Sequence, residues 1–105
     1  MNQQLDEKDF EQALLSNYIT GKYISKQKWV IDDIFEKYTF ENLELIKGSF
    51  TCSLFQNCTF VNIVFEEIHL DECDFKNCNF QNVIFKNCTT ENIQFINCID
   101  MPKIL

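Results

Sequence analysis

The sequence predicts an all-β solenoid with an N-terminal α-helical cap, and three observations predict it. Apolar residues recur every fifth position over most of the chain. That unit is nested in a second period of twenty. The 105 residues include only two Gly and one Pro. So few turn residues do not suit an ordinary β-sandwich, which needs many tight turns. A hydrophobic content of 46% places the chain among globular rather than disordered sequences.

The five-residue register starts at Phe40. It runs through Leu45, Phe50, Phe55, Phe60, Phe65, Leu70, Phe75, Phe80, Phe85, Thr90 and Phe95, and collects nine of the eleven Phe. Two residues before each centre stands a mostly small or β-branched residue, such as Ser53, Cys58, Ile63, Ile68, Cys73, Cys78, Val83 or Cys88. Two residues after it stands Asn in eight of twelve units, from Asn42 to Asn97. A period of five fits neither a helix nor a plain strand. It describes two inward positions flanking one outward position, followed by a corner. Asn suits the corner because it tolerates unusual dihedrals and its amide bonds nearby backbone.

The pattern resembles the pentapeptide-repeat proteins, whose usual unit is a small residue, Asp or Asn, Leu or Phe, then two variable residues. The resemblance spans residues 38 to about 100 of this sequence. It departs where the residue before the centre is rarely Asp or Asn (Asp74 and Asn79 conform) and where Thr90 replaces the central aromatic. The resemblance implies a right-handed quadrilateral β-helix with four units per coil. The period of twenty agrees, since Phe55-Gln56-Asn57-Cys58, Phe75-Lys76-Asn77-Cys78 and Phe95-Ile96-Asn97-Cys98 repeat at that spacing. Residues twenty apart then stack at strand spacing, roughly 4.8 Å. This gives Asn ladders at 42/62/82 and 57/77/97 and Phe columns at 40/60/80 and 55/75/95, in about three coils.

These readings divide the chain into a helical cap segment at 1–30, a pentapeptide-repeat β-helix at 31–100 and a tail at 101–105. Phe10, Ala13, Leu14 and Tyr18 form a helical stripe, with Asp6, Glu7 and Asp9 in the first turn and Gly21 as terminator. Residues 29–38 fit helical spacing and the five-residue register alike. The favoured reading is an irregular first rung with the helix packed on it. The tail, with Ile99, Met101, Ile104 and Leu105 around Pro102, either covers the far end or pairs with a second copy.

The formal net charge is −7, with nine Lys and no Arg, which disfavours nucleic-acid binding. Residues 1–10 are polar and acidic, unlike a secretory signal, and no apolar run is long enough to span a membrane. The expected setting is cytoplasmic. Five of six Cys (58, 73, 78, 88 and 98) fall at the small inward position and read as buried reduced thiols, with Cys52 at a corner. Without a C-x-x-C pair or a His in their column, they imply no metal and no cofactor. Ser49, His69 and Asp71 make a catalytic triad only on paper, because a convex face lacks a cleft and an oxyanion hole.

Two surfaces are candidates for binding a partner. One is the acidic set Glu66, Glu67, Asp71, Glu72, Asp74 and Glu91, suited to a basic partner. The other is the apolar strip Ile46, Val64 and Ile84, unless the N-terminal helix covers it. The resemblance implies a non-enzymatic protein-binding module. Its leading form is an immunity protein that neutralises a cognate bacterial toxin with a basic surface. The alternative is a DNA-mimicking protein that protects a topoisomerase such as gyrase.

Overall fold

The structure, a computed structural model, describes residues 5–105, without the side chains of residues 26–28. Residues 1–4 of the expected cap segment lie outside the described residues. A short helix, α1 (Glu7–Ala13), leads through a 3-10 turn at Leu14–Ser16 into nine strands. These are β1 (Tyr18–Val30), β2 (Ile34–Glu36), β3 (Thr39–Ser49), β4 (Leu54–Gln56), β5 (Thr59–His69), β6 (Asp74–Lys76), β7 (Asn79–Lys86), β8 (Gln94–Ile96) and β9 (Lys103–Ile104). One parallel sheet runs β1-β3-β5-β7-β9 and the other β2-β4-β6-β8. The chain is thus a parallel β-solenoid of about four turns.

The corners explain the period. From Asn42 to Asn97, every fifth residue has a left-handed backbone with φ between 50° and 67°. The eight Asn of the pattern all lie there, together with Lys47, Cys52, Glu67 and Glu72. Four such corners close one coil, so β3 and β5 each bend across two faces. Between corners, Phe40 pairs with Phe60 and Phe60 with Phe80, an offset of twenty. Of the two expected Asn ladders, the one at 42/62/82 is held by amide bonds. Asn62 Nδ2 donates to Asn42 Oδ1 at 3.1 Å, and Asn82 Nδ2 to Asn62 Oδ1 at 2.9 Å.

Inside, the aromatic rings form two adjacent columns. Phe35, Phe55, Phe75 and Phe95 stack at centroid spacings of 4.7, 4.7 and 5.2 Å. Phe40, Phe60 and Phe80 stack at 4.8 and 4.9 Å. Between the columns the rings meet edge to face, as Phe55 with Phe60 at 5.8 Å and Phe75 with Phe80 at 5.5 Å. Each ring therefore has both kinds of favourable aromatic contact.

The N-terminal third differs from the expectation. The helix ends at Ala13 instead of running through Tyr18 to Gly21, and residues 18–30 are strand β1, the first rung. The expected cap segment at 1–30 therefore holds a helix and a whole strand, and the coils number about four rather than three. Asn17, at φ 59°, terminates the helical segment, whereas Gly21 sits inside the strand at φ 120°. The physical reason is a broken register. Ile19 pairs with Phe40 but Gly21 with Leu43, and Ile24 pairs with Ile46 but Trp29 with Gly48. One residue is missing at the first irregularity and three are added at the second, which hides the repeat.

Gly48 makes this irregularity fit. A Cβ there would lie 2.9 Å from the Trp29 ring, which fills the space an inward side chain would take. Helix α1 starts with a capping box, Asp6 accepting from the Asp9 amide and Asp9 from the Asp6 amide. Its Phe10 is fully buried against Tyr23, Trp29 and Phe50, so the helix plugs the N-terminal end. The tail extends the solenoid instead of folding across the far end, since Ile84 pairs with Lys103 and Phe85 with Ile104.

Phe75 touches rings above, below and beside it, so Phe75→Ala should cost about 3–5 kcal/mol, a large part of a small domain's stability. Thermal or denaturant unfolding checks this, and a near-wild-type melting curve would be incompatible with the stacked column.

Candidate functional site

The quadrilateral section decides which candidate residues can act together. Corners at Glu67 and Glu72 bound one face, with Leu70 at its centre. His69 and Asp71 point outward from that face, and Glu91 lies above Asp71, whose carboxylate accepts the Glu91 amide at 2.8 Å. Glu67, Asp71, Glu72 and Glu91 therefore share one side of the molecule. Glu66 precedes the first corner and turns onto the neighbouring face, where its carboxylate lies 3.8 Å from Lys86 Nζ. Asp74 follows the second corner and turns onto the face of β6. The six acids thus wrap around a coil, and four of them form a common surface.

One further acid belongs with this surface and comes from the first coil. Asp32 is exposed and its carboxylate acts electrostatically on Cys52, whereas Asp33 stands over Ser53 past the Cys52 corner, and its charge acts on Tyr38. Asp32, Cys52, Glu72 and Asn92 are spaced by twenty in one column, in which Cys52, Glu72 and Asn92 are left-handed corners. The signal was available in the sequence, because stepping back twenty from Cys52 reaches Asp32. The irregular strand between them obscured it.

Asp71 has a structural task. Oδ2 accepts from the Thr89 hydroxyl at 2.8 Å, and Thr89 Oγ1 also lies 2.8 Å from His69 Nδ1. Since the hydroxyl proton points at Asp71, Thr89 must accept from His69 Nδ1–H. Ser49 Oγ lies 2.8 Å from Thr51 Oγ1. Ser49 thus bonds Thr51 within its own coil, whereas His69 and Asp71 both meet the Thr89 hydroxyl and so fasten their coil to the next.

The apolar strip is uncovered by α1, which packs on β1 and the 3-10 turn. Ile46, Val64 and Ile84 are each half-buried. They run diagonally, because Ile46 pairs with Glu66 while Val64 pairs with Glu44 and Ile84. The Lys22–Glu44 and Lys86–Glu66 ion pairs, both at 3.8 Å, bracket the strip.

The inward thiols do more than fill volume. Cys58, Cys73, Cys78, Cys88 and Cys98 donate to the carbonyls of Phe35, Phe50, Phe55, Phe65 and Phe75, at 2.8 to 3.3 Å. Ser53 makes the equivalent bond to Ile31 at 2.9 Å. Burial pushes the Cys73 thiol up to about 12. The hydrogen bond between Cys58 and Cys78 raises Cys78, with burial adding to it, and lowers Cys58. Among the described residues no group of His, Cys, Asp and Glu is arranged to hold a metal ion. Cys52 is exposed, but partial desolvation, a 3.6 Å contact to Glu72 and the charge of Asp32 raise its pKa. Cys88 and Cys98, in the last rung, are half-buried rather than enclosed.

A stack of parallel coils with convex faces defines the class as a β-solenoid, a fold that works as a structural or protein-binding module, and nothing in it shows catalytic activity. Residues 49–87 match the family model of pentapeptide repeats in eight copies, which supports a pentapeptide-repeat protein. No curated protein matches the chain. No helix among the described residues is long and apolar enough to cross a membrane.

Labelling with a thiol reagent should modify Cys52 first, Cys88 and Cys98 more slowly, and Cys58, Cys73 and Cys78 only on unfolding. Because neighbouring carboxylates disfavour the Cys52 thiolate, Glu72→Gln should speed its labelling near pH 8 by roughly two- to five-fold. Peptide mapping of the labelled protein checks both statements.

Proposed function

We propose that this protein is a non-catalytic binding module whose acidic face engages a basic surface on another protein, in the manner of an immunity protein neutralising a toxin. The observation that carries the reading is the convergence of Glu67, Glu72 and Glu91, with Asp32 below them, on one side of the solenoid. All four are exposed. Like charges held in fixed positions raise the local potential and steer an oppositely charged partner. The rod supplies rigidity, so little ordering cost is incurred on binding. The overall charge of −7 acts in the same direction and disfavours nucleic acid as the partner.

The variant that tests this must spare the fold. Asp71 fastens Thr89 and the Glu91 amide, so it stays. Glu67 and Glu72 occupy left-handed corners, and Lys47 adopts the same conformation in the same column as Glu67, so Lys is tolerated there. Glu67→Lys, Glu72→Lys and Glu91→Lys together should leave the melting temperature within a few degrees of wild type. Association with a basic toxin domain should slow by ten-fold or more, and wild-type binding should weaken as salt rises. The checks are stopped-flow association and protection of cells expressing the toxin. Wild-type protein that instead alters topoisomerase supercoiling, and loses that effect on charge reversal, would favour DNA mimicry. A folded triple variant that binds its partner unchanged would remove the acidic face from consideration.

A further inference from the structure

We propose that the lateral face between the Asn42 and Lys47 corners is a self-complementary surface, on which a second copy of this chain lies face to face with its apolar diagonal against the first. This inference stands apart from the partner-binding reading and uses none of the acids of that reading.

Strands β1, β3, β5 and β7 build the face, and each sends two side chains outward from it. One outward column reads Lys22, Glu44, Val64 and Ile84 from the first coil upward. The other reads Ile24, Ile46, Glu66 and Lys86. Taken from its opposite end, the second column becomes Lys86, Glu66, Ile46 and Ile24. Both columns then carry the same pattern: Lys, Glu and two β-branched apolar residues. The face therefore has a local two-fold axis along its own normal. The apolar residues fill one diagonal, and the Lys22–Glu44 and Lys86–Glu66 ion pairs, at 3.8 Å each, fill the other two corners. Ile24, Ile46, Val64 and Ile84 are all half-buried. Helix α1 does not pack on β3, β5 or β7, so it leaves the diagonal open.

A pattern that is its own complement points to a second copy as the occupant. A two-fold dimer pairs one patch with the same patch on the other chain and closes at two. With the dimer axis laid along the apolar diagonal, each of the four apolar residues meets its counterpart. Lys22 of one copy then comes beside Glu66 of the other, and Lys86 beside Glu44. Turning one copy by half a turn about the normal exchanges these partners, and opposite charges still meet. Two columns about 6.8 Å apart and coils about 4.8 Å apart tilt the diagonal by roughly 35° from the solenoid axis. Sheets paired along it cross at roughly 70°, nearer the orthogonal than the aligned class of sheet packing. Charge favours this face as well. Two chains of net charge −7 repel over most of their surfaces, whereas the two Lys and two Glu of this grid sum to zero.

The interface is of modest size. The molecule measures 37 × 24 × 24 Å. A side about 24 Å wide and four coils tall, roughly 20 Å at strand spacing, offers less than about 500 Å² per copy. The dimer should therefore be reversible, with a Kd on the order of 100 µM.

Two measurements on the full chain, each from about 20 µM to 1 mM, test this. Sedimentation velocity should show a concentration-dependent shift from one to two chains. Amide NMR spectra over the same range should shift at Ile24, Ile46, Val64 and Ile84 and their neighbours on this face. The double variant Ile46→Lys with Val64→Lys places charge on the middle of the diagonal, and it should remain a single chain with unchanged melting in dilute solution. If that variant melts early, Lys22→Glu with Lys86→Glu carries the test, because it sets acid against acid across the copies. It should weaken the dimer at least ten-fold. A wild-type protein that stays single at the highest concentration, shifts centred elsewhere on the molecule, species longer than two chains, or folded variants that pair like wild type would each overturn the proposal.

Discussion

The structure depends on a backbone that enters the left-handed region at every fifth residue. An L-residue pays about 1–2 kcal/mol to adopt that conformation. Asn meets the requirement most readily, and it fills eight of the twelve corners between Asn42 and Asn97. Lys47, Cys52, Glu67 and Glu72 occupy the others without that advantage. Each corner is offset by what it makes possible. Turning the chain at fixed intervals places one large apolar side chain per unit inside the coil, and a fully buried Phe contributes roughly 2–3 kcal/mol. The parallel register then sets each ring directly over the one below. The same geometry lets the inward thiols and Ser53 donate to carbonyls of the preceding coil.

The outer surface inherits this regularity. Corner and outward positions repeat every twenty residues, so their character along the rod is set by residue identity alone. That freedom allows one side to collect acids without disturbing the aromatic columns. Function and stability are thus nearly separable here, except where an outward residue also bonds across coils. Asp71 is such a residue, because its carboxylate holds Thr89 and the Glu91 amide.

The regular coils were legible from the sequence because each inward position was unambiguous and the corners carried Asn. The first coil was not. Ile19, Tyr23 and Trp29 face inward as the pattern requires, but their register against the next coil shifts twice. Only Gly48, opposite Trp29, records that a bulky ring must fit there. The same break concealed Asp32 as part of the acidic face. Proximity in sequence also overstated the acidic set. Glu66 and Asp74 lie beyond corners that turn them onto other faces, which a list of neighbours along the chain does not convey. The uncovered apolar strip at Ile46, Val64 and Ile84 was legible as a composition, but its diagonal course between two ion pairs required the strand pairing.

The most direct measurement is the backbone conformation of the corner residues in solution, from NMR chemical shifts at Asn42, Asn57, Asn62, Asn77, Asn82 and Asn87. The structure requires a left-handed signature at all six. Extended or right-handed helical shifts at these positions in the folded protein would contradict the five-residue corner geometry on which the aromatic columns rest.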